Sequence, residues 1–275
     1  MAIELPASAL YSHPSLGRLW KKVHLFYSPF VTSRPVHRLY QRPASILCKK
    51  LVAPYSLIAL GCAEGAKEAL LLRKLPQPAF LLAADTNLSL ARRATQRLPA
   101  RKKAFRRIDL SRSLPAFHLP PSTNKLFTLF GVLPNLDPLP LLRRLARRMR
   151  QGDLLLFSAN LAPGTSGLDG ARKVLPQYDN PPTRLWLGAA VRRFRPKLPP
   201  GRLEFGIHSD PRQRSLARIE ARWIAGQKTW IVFASRRPTV SQIETWISKV
   251  GLRKVARFLD PRGEEGVWLV GRTPS

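Results

Sequence analysis

The sequence predicts an α/β fold in which strands and helices alternate around a mostly parallel sheet. Between residues 45 and 160, short apolar runs alternate with amphipathic stretches at a spacing typical of β–α–β units. The apolar runs at 57–60 and 80–84 are bounded by turn residues, as expected for buried strands. The stretch 238–275 adds a helix and two strands joined by DPRGEEG, which predicts an antiparallel hairpin at the end of the sheet.

Each element follows from a local pattern. In chain order we expect a helix at ASILCKKLV, a strand at SLIAL, a helix ending near Lys74, a strand at AFLLAAD, a helix at LSLARRATQRL, strands at KAFRRIDL and KLFTLF, a helix over 138–150 and a strand at GDLLLFSAN. After Asn160 the turn residues become dense, and we expect a helix at LGAAVRRF and two antiparallel strands at RSLARIEARWI and KTWIVFA. Residues 1–44 lack a clean period, which indicates irregular structure with short helices.

Composition limits the class of protein. The chain has 275 residues, and 44% of them are hydrophobic, which is enough for a sizeable core. Its apolar runs are far shorter than the roughly 20 residues of a membrane span, and residues near the N-terminus lack the compact basic-then-apolar pattern of a signal segment, so we expect neither feature. Cys48 and Cys62 give no disulfide framework, so we expect a cytoplasmic protein. The histidines, which include His118, show no paired ligand spacing, and we therefore expect no metal site.

The net charge of +31 is extreme for a chain of this length. A field of that size attracts nucleic acid, so RNA or DNA is one candidate partner. The basic residues are spread along the chain, with local peaks at 101–107, 143–150 and 192–197. Compositional bias of the coding sequence is the alternative explanation, and both remain open at this point.

A glycine-containing turn follows the first strand, in LIALGCAEG at 57–65. The small residues Gly61, Ala63 and Gly65 let backbone N–H groups approach a ligand closely. Asp85 ends the next strand, about 20 positions further on, where an acid binds ribose hydroxyls in nucleotide sites. Asp109 ends the third strand, on the adenine side of the same pocket. The pattern predicts a site for a nucleotide-like cofactor.

These strands, their spacing and the terminal hairpin resemble the class I S-adenosylmethionine-dependent methyltransferases. The resemblance implies a Rossmann-like methyltransferase sheet with a smaller accessory lobe, and S-adenosyl-L-methionine as the cofactor. Two departures stand out, because the family usually has an acid at the position of Ala59 and a glycine at that of Ala63. In that family the acid helps to order the methionine end of the cofactor, and this chain lacks it. The implied cofactor-binding residues are Gly61, Ala63, Gly65, Asp85, Asp109 and Gly131.

A second segment, LFTLFGVLPNLDPLPLLRRLARRMRQGDLLLFSANLAPG, is similar to the histidine-specific methyltransferases of ergothioneine biosynthesis. The matching positions are Gly131, Asn135, Pro138, Gly152 and Asp153. QYDNPPT and SLARIEARWIA also resemble segments of that family. The resemblance implies that Asn135 and Tyr178 bind the acceptor at its α-amino group, and it makes Tyr178 the candidate catalytic residue. Because the asparagines of that family's F-N-x-N helix are missing from LWLG, we expect an acceptor other than histidine.

The expected organisation is a core interrupted by an accessory lobe. Residues 45–175 and 238–275 would form the cofactor-binding core, and residues 1–44 and 176–237 the accessory lobe that covers the substrate. The expected reaction is N-methylation of an amine of a small molecule or amino-acid derivative. The alternative is a basic RNA- or DNA-binding protein, or an RNA methyltransferase, on a degenerate methyltransferase fold. NPPT also invites comparison with methyltransferases of planar amines, but these need an aromatic residue where this chain has Thr183.

Overall fold

Two sheets and eleven helices form the framework of the computed structural model, which describes residues 3–117, 124–194 and 198–273. The strands are β1 (Ile3–Glu4), β2 (Tyr55–Leu60), β3 (Phe80–Asp85), β4 (Lys102–Arg107), β5 (Asn124–Leu129), β6 (Leu154–Asn160), β7 (Arg202–Asp210), β8 (Gln213–Ala225), β9 (Lys228–Arg237), β10 (Leu252–Leu259) and β11 (Glu265–Arg272). The helices are α1 (Ala7–Ser12), α2 (Pro14–Tyr27), α3 (Pro29–Thr32), α4 (Arg34–Leu39), α5 (Ala44–Lys50), α6 (Ala66–Leu72), α7 (Leu88–Arg97), α8 (Pro138–Arg148), α9 (Gly167–Val174), α10 (Pro181–Phe194) and α11 (Val240–Lys249).

The larger sheet has seven strands in the order β10-β11-β6-β5-β2-β3-β4. Strands β2 to β6 are parallel to their neighbours in this set, whereas β11 is antiparallel to both β6 and β10. This arrangement confirms the predicted α/β class with a C-terminal antiparallel hairpin. Because the central strands are parallel, the carboxyl ends of β2, β3 and β5 meet at one edge of the sheet.

Both faces of this sheet are covered, which explains why β2 is buried along its whole length. Its side chains alternate between the faces. Ile58 and Leu60 belong to the core on the side of α8, and Leu57 and Ala59 belong to the core that includes leucines of α4, α5 and α6.

The smaller sheet has four strands in the order β1-β9-β8-β7, and the helices α1, α2 and α10 pack against it. Arg218 of β8 is almost completely buried in this sheet. Its guanidinium forms ion pairs with Glu220 at 2.8 Å, Glu4 at 3.1 Å and Asp210 at 3.7 Å. These carboxylates compensate the buried charge and link β1 to the rest of the sheet.

The N-terminal region is more regular than its sequence predicts. Instead of short helices alone it contains α2, which has 14 residues. Pro14 stands at the first helical position and the side chain of His13 accepts a hydrogen bond from the Ser15 backbone. Both features favour helix initiation, but they are less obvious in the sequence than a Ser or Asp cap.

Helix α9 and strand β7 are not predicted from the sequence, because glycines interrupt their hydrophobic patterns. Helix α9 contains Gly170, where a Cβ atom would lie 2.3 Å from the carbonyl oxygen of Pro163, so close packing requires the glycine. In β7, Leu203, Phe205 and Ile207 alternate as in a strand, but Gly206 and the preceding Pro-Pro-Gly turn conceal the pattern. Within the described ranges, no helix is long and apolar enough to span a membrane.

Candidate functional site

A cleft of about 710 Å³ opens at the edge of the larger sheet where the parallel strands end. One wall consists of the loops after β2, β3, β4 and β5, at 61–64, 85–87, 108–111 and 130–132. The facing wall comes from α1 and α2. Doubly wound sheets bind ligands at this edge, and the volume is typical of a small-molecule site.

The turn after β2 depends on left-handed backbone conformations. The φ angles are 59° at Gly61, 47° at Ala63 and 71° at Gly65. A Cβ atom on Gly61 would lie 2.4 Å from Cγ2 of Val132, and one on Gly65 would lie 2.9 Å from Cδ1 of Leu98. Gly61 and Ala63 line the cleft. Gly65 packs behind this wall, so its role in the structure is to begin α6 and contact Leu98.

Asp85 lies at the end of β3 with 8% of its surface exposed, and it faces the cleft. Its Oδ2 atom accepts a hydrogen bond from the Ala63 backbone at 2.9 Å, and Oδ1 accepts one from the Asn87 backbone at 2.9 Å. Burial raises the pKa of Asp85, and the backbone hydrogen bonds oppose part of that rise. The carboxylate therefore joins two loops of the cleft wall.

Asp109 lies at a more open part of the same wall. Its Oδ1 atom accepts hydrogen bonds from the backbone and hydroxyl of Ser111, at 2.9 and 2.6 Å. The guanidinium of Arg112 lies 3.7 Å from Oδ2. Ile108 and Leu110 flank the carboxylate in the cleft wall, so an acid is presented beside apolar side chains.

Gly131 and Asn135 line the part of the cleft that follows β5. Gly131 has a φ of 73°, and its backbone donates a hydrogen bond to the hydroxyl of Ser158 at 2.9 Å. The Asn135 amide donates a hydrogen bond to the hydroxyl of Tyr11 at 3.4 Å. Asn135 thus connects the core of the cleft to α1.

Tyr178 is not among the side chains that line this cleft in the described part of the chain. Its hydroxyl is hydrogen-bonded to Arg237, and lies 3.2 Å from the hydroxyl of Ser235. The guanidinium of Arg237 also stacks over the Tyr178 ring, at 4.8 Å from its centroid. In the described part of the chain, Asn135 therefore lines the cleft and Tyr178 does not.

The aromatic side chains of the N-terminal helices were not predicted as site residues. Tyr11, Trp20, His24 and Phe30 all line the cleft. The rings of Trp20 and His24 stack with centroids 5.1 Å apart, and those of His24 and Phe30 with centroids 6.1 Å apart. Burial, assisted by Lys67, lowers the pKa of His24 to about 4, so its imidazole is neutral at pH 7. The sequence signal that these four residues share is the high density of aromatic residues in a segment without a clear period.

A buried polar cluster closes the inner end of the cleft. Lys67 of α6 lies 3.8 Å from Glu265 and 4.5 Å from the centroid of the Tyr40 ring. The hydroxyl of Tyr40 donates a hydrogen bond to Glu265 and lies 3.1 Å from the hydroxyl of Ser158. Burial lowers the pKa of Lys67. These residues come from the end of α4, where Tyr40 is the C-cap, and from α6, β6 and β11, and no local motif could have identified them.

Glu68, the neighbour of Lys67, also lines the cleft and is 1% exposed. Its Oε1 atom accepts a hydrogen bond from the Thr128 hydroxyl at 3.1 Å. Burial raises the pKa of Glu68 to about 7. In residues 3–117, 124–194 and 198–273, no three His, Cys, Asp or Glu side chains are grouped as a metal ion would require, and His118 lies outside these ranges.

Comparison with known proteins gives similarity at the level of structure. No protein-family model and no curated protein matches the sequence. A S-adenosylmethionine-dependent methyltransferase from Clostridium acetobutylicum ATCC 824 is similar with a TM-score of 0.51 and 12% identity, over 93% of this chain and 99% of that one. Magnesium protoporphyrin IX methyltransferase from Synechocystis PCC 6803, solved with bound SAH, has a TM-score of 0.52 and 11% identity, over 96% and 97%.

A protein from Pyrococcus horikoshii OT3 is similar to the same degree, with a TM-score of 0.52 and 12% identity over 92% of this chain and 98% of that one. At such low identities the similarity concerns the fold rather than the reaction. The chain therefore has the Rossmann-like α/β fold of the S-adenosylmethionine-dependent methyltransferases.

Proposed function

We propose that the protein is a S-adenosylmethionine-dependent methyltransferase that binds its cofactor in the cleft. The observation that carries this proposal is the convergence of Gly61, Asp85 and Asp109 on one cleft at the carboxyl edge of the sheet. The three residues come from different loops, and their shared position depends on the fold alone. A methyltransferase fold with this arrangement supports the cofactor that the sequence predicts.

The residues of the cleft fit the chemical groups of that cofactor. Asp85 is an acceptor for ribose hydroxyls, since a carboxylate oxygen has two lone pairs and can accept more than one hydrogen bond. Asp109 is an acceptor for the adenine amino group, between the apolar side chains of Ile108 and Leu110. At the other end, Lys67 and Glu68 present an ammonium and a carboxylate, which complement a zwitterionic amino acid. When bound, the cofactor supplies an electrophilic methyl group.

The acceptor would lie between Asn135 and the aromatic wall of Tyr11, Trp20 and His24. Transfer of a methyl group to an amine is an in-line displacement, so these side chains would act mainly by holding the amine in position. The neutral imidazole of His24 is able to accept a hydrogen bond from it. An amine of a small molecule or amino-acid derivative suits this polar and aromatic lining.

We also propose that residues 1–44 and 176–237 act as the accessory lobe, and residues 45–175 and 238–275 as the cofactor-binding core. Helices α1 and α2 support this division because they provide the cleft wall that faces the core. Tyr178 would support this lobe through Arg237 rather than contact the acceptor.

Calorimetric titration with S-adenosylmethionine and S-adenosylhomocysteine tests the cofactor proposal. We expect both ligands to bind the full chain and Asp85→Ala to weaken both. Asp169→Ala is a matched control, because Asp169 is an exposed acid of α9 that pairs with Arg172. If neither ligand gives a binding heat with the unmodified chain, the proposal is refuted.

Nucleic-acid binding is the second candidate, and the position of β4 favours it. This edge strand exposes Lys102, Lys103, Arg106 and Arg107. Charged edge strands also prevent sheet-to-sheet aggregation, which is the simpler explanation. If phosphates bind there, affinity for single-stranded RNA will fall steeply with salt, and replacing the four side chains by Gln will reduce that slope. An unchanged slope would rule out β4 as the binding surface.

A further inference from the structure

Glu68 is unusual because its carboxylate is buried although the residue lines the cleft. It lies in the first turn of α6 with 1% of the residue exposed. Thr128 donates one hydrogen bond to it, and the ammonium of Lys67 is a favourable neighbouring charge. A buried carboxylate is costly unless charges and hydrogen bonds compensate it. A cation brought into the cleft by a ligand would provide such compensation.

The location of Glu68 corresponds to the position of the missing acid at Ala59. Ala59 of β2 pairs in register with Thr128 of β5. Paired side chains of neighbouring parallel strands point to the same face, with the strands roughly 5 Å apart. Since the Glu68 carboxylate lies 3.1 Å from the Thr128 hydroxyl, it reaches the region toward which a side chain at 59 would point. Ala59 itself is fully buried and ends at its Cβ atom.

We propose that Glu68 binds the α-ammonium group of the cofactor's methionine end, supplying from α6 the carboxylate that position 59 lacks. This inference rests on the proposed function, since it assigns a role within the same cleft. It also explains how a cofactor site can persist with alanine at position 59.

The charges around Glu68 are consistent with this role. The titratable groups that interact electrostatically with Glu68 are Lys67 of the same helix, Asp85 of β3, Tyr40 directly after α4 and Cys62 of the glycine-containing turn. Burial disfavours the ionised form of Glu68 in the free protein. A ligand ammonium at hydrogen-bond distance would favour that form, and charge-assisted hydrogen bonds are stronger than neutral ones.

The alternative is that Glu68 has a structural role through Thr128 alone. Glu68→Gln separates the two roles, because the amide oxygen can still accept the Thr128 hydrogen bond while the charge is lost. Asp169→Asn is the matched control, as it removes an exposed acid by the same chemical change.

The test compares two ligands by calorimetry at pH 8: S-adenosylhomocysteine and its analogue that lacks only the α-amino group, S-adenosyl-4-mercaptobutanoate. We expect the unmodified chain and Asp169→Asn to prefer S-adenosylhomocysteine by about ten- to a hundredfold, the effect of one hydrogen bond to a charged group. We expect Glu68→Gln to lose most of that preference while its affinity for the analogue stays within about twofold of the unmodified chain. Ala59→Glu combined with Glu68→Ala should restore the preference.

The outcomes separate this inference from the proposed function. If the unmodified chain binds neither ligand, the cofactor proposal itself is wrong. If it binds both equally, or if Glu68→Gln keeps the full preference, the cofactor proposal survives and the role of Glu68 is refuted. The comparison of ligands on the unmodified chain needs no variant, so equal affinities there refute the role of Glu68 even if Glu68→Gln does not fold, and the double variant Ala59→Glu with Glu68→Ala then tests a measured preference.

Discussion

The carboxylate of Asp85 accepts a hydrogen bond from the backbone N–H of Ala63 at 2.9 Å, which ties the end of β3 to the turn after β2. The same carboxylate accepts the backbone N–H of Asn87, at the N-cap of α7. The Asp85 side chain therefore holds the loop that faces the cleft, and it is also the acid that would bind the ligand. Substitution of Asp85 should affect stability even without ligand.

Asp85→Ala should destabilise the free protein. The change leaves the N–H groups of Ala63 and Asn87 without their acceptor in a largely buried site, which costs about 1–3 kcal/mol. Urea unfolding of the ligand-free protein, followed by circular dichroism, measures the effect. Asp169→Ala serves as the control, and we expect it to change the free energy of unfolding by less than about 0.5 kcal/mol because its ion pair is exposed. Equal midpoints for the two variants would show that the Asp85 hydrogen bonds are not stabilising.

Gly61→Ala should destabilise more than Gly164→Ala. Both glycines have positive φ angles, 59° and 88°, so alanine is strained at either position. A Cβ atom at 61 also meets Val132 at 2.4 Å, whereas nothing lies within 4 Å of a Cβ atom at 164. The overpacking adds about 1–3 kcal/mol to the cost at 61. Thermal unfolding measures both, and Val132→Ala should remove the additional cost of Gly61→Ala. If it does not, contact with Val132 is not what requires the glycine.

The pH dependence of stability should change in Glu68→Gln. The pKa of Glu68 rises from 4.5 to about 7 on folding, so the folded state binds a proton more tightly than the unfolded state. Stability from this group is then present below about pH 4.5 and is lost as the pH rises toward 7. We expect Glu68→Gln to gain stability relative to the unmodified chain between pH 5 and pH 8 in urea unfolding. Parallel pH profiles would show that Glu68 is not destabilised by burial.

Tyr178→Phe should reduce stability without changing cofactor affinity. The change removes the hydroxyl that is hydrogen-bonded to Arg237, a residue that is 1% exposed. The loss of this partner lowers the free energy of unfolding by about 1–3 kcal/mol. Since Tyr178 does not line the cleft, affinity for S-adenosylhomocysteine should stay within about twofold. A tenfold loss of affinity with unchanged stability would instead show that Tyr178 takes part in cofactor binding.

The sequence predicted the core sheet well because its strands are continuous apolar runs between turn residues. SLIAL, AFLLAAD and GDLLLFSAN correspond to β2, β3 and β6, and the C-terminal hairpin corresponds to β10 and β11. Patterns of this kind are set locally, by burial on both faces and by turn chemistry. Helix α9 was not predicted because Gly170 serves a close contact that only the tertiary structure explains, and β7 was not predicted because Gly206 interrupts its alternating pattern.

The candidate site was predicted in part for a similar reason. Gly61, Asp85 and Asp109 follow predicted strands directly, and the topology of parallel strands brings such positions together. Glu265 approaches the cleft from a distant part of the chain, by packing that has no sequence signature, whereas the only signal for Trp20 is the density of aromatic residues around it. Glu68 was not predicted for another reason, because an acid in the first turn of a helix usually stabilises that helix through its dipole.

The cleft wall formed by α2 carries a fluorescent side chain, Trp20. Helix α2 is joined to the opposite wall by the ion pair of Lys21 with Glu64, at 3.4 Å. Helix α1 is joined to it by a hydrogen bond from the Asn87 amide to the Tyr11 carbonyl, at 3.4 Å. Exposed ion pairs of this kind contribute only about 0–1 kcal/mol, so the Lys21–Glu64 pair adds little to the attachment of this wall, which the stacked rings of Trp20, His24 and Phe30 also connect to the core. Trp20 lies in the cleft wall, whereas Trp268 is buried against Phe157. Stopped-flow fluorescence of the unmodified chain and of Trp20→Phe can therefore separate the response of Trp20 to an arriving ligand from that of the other five tryptophans.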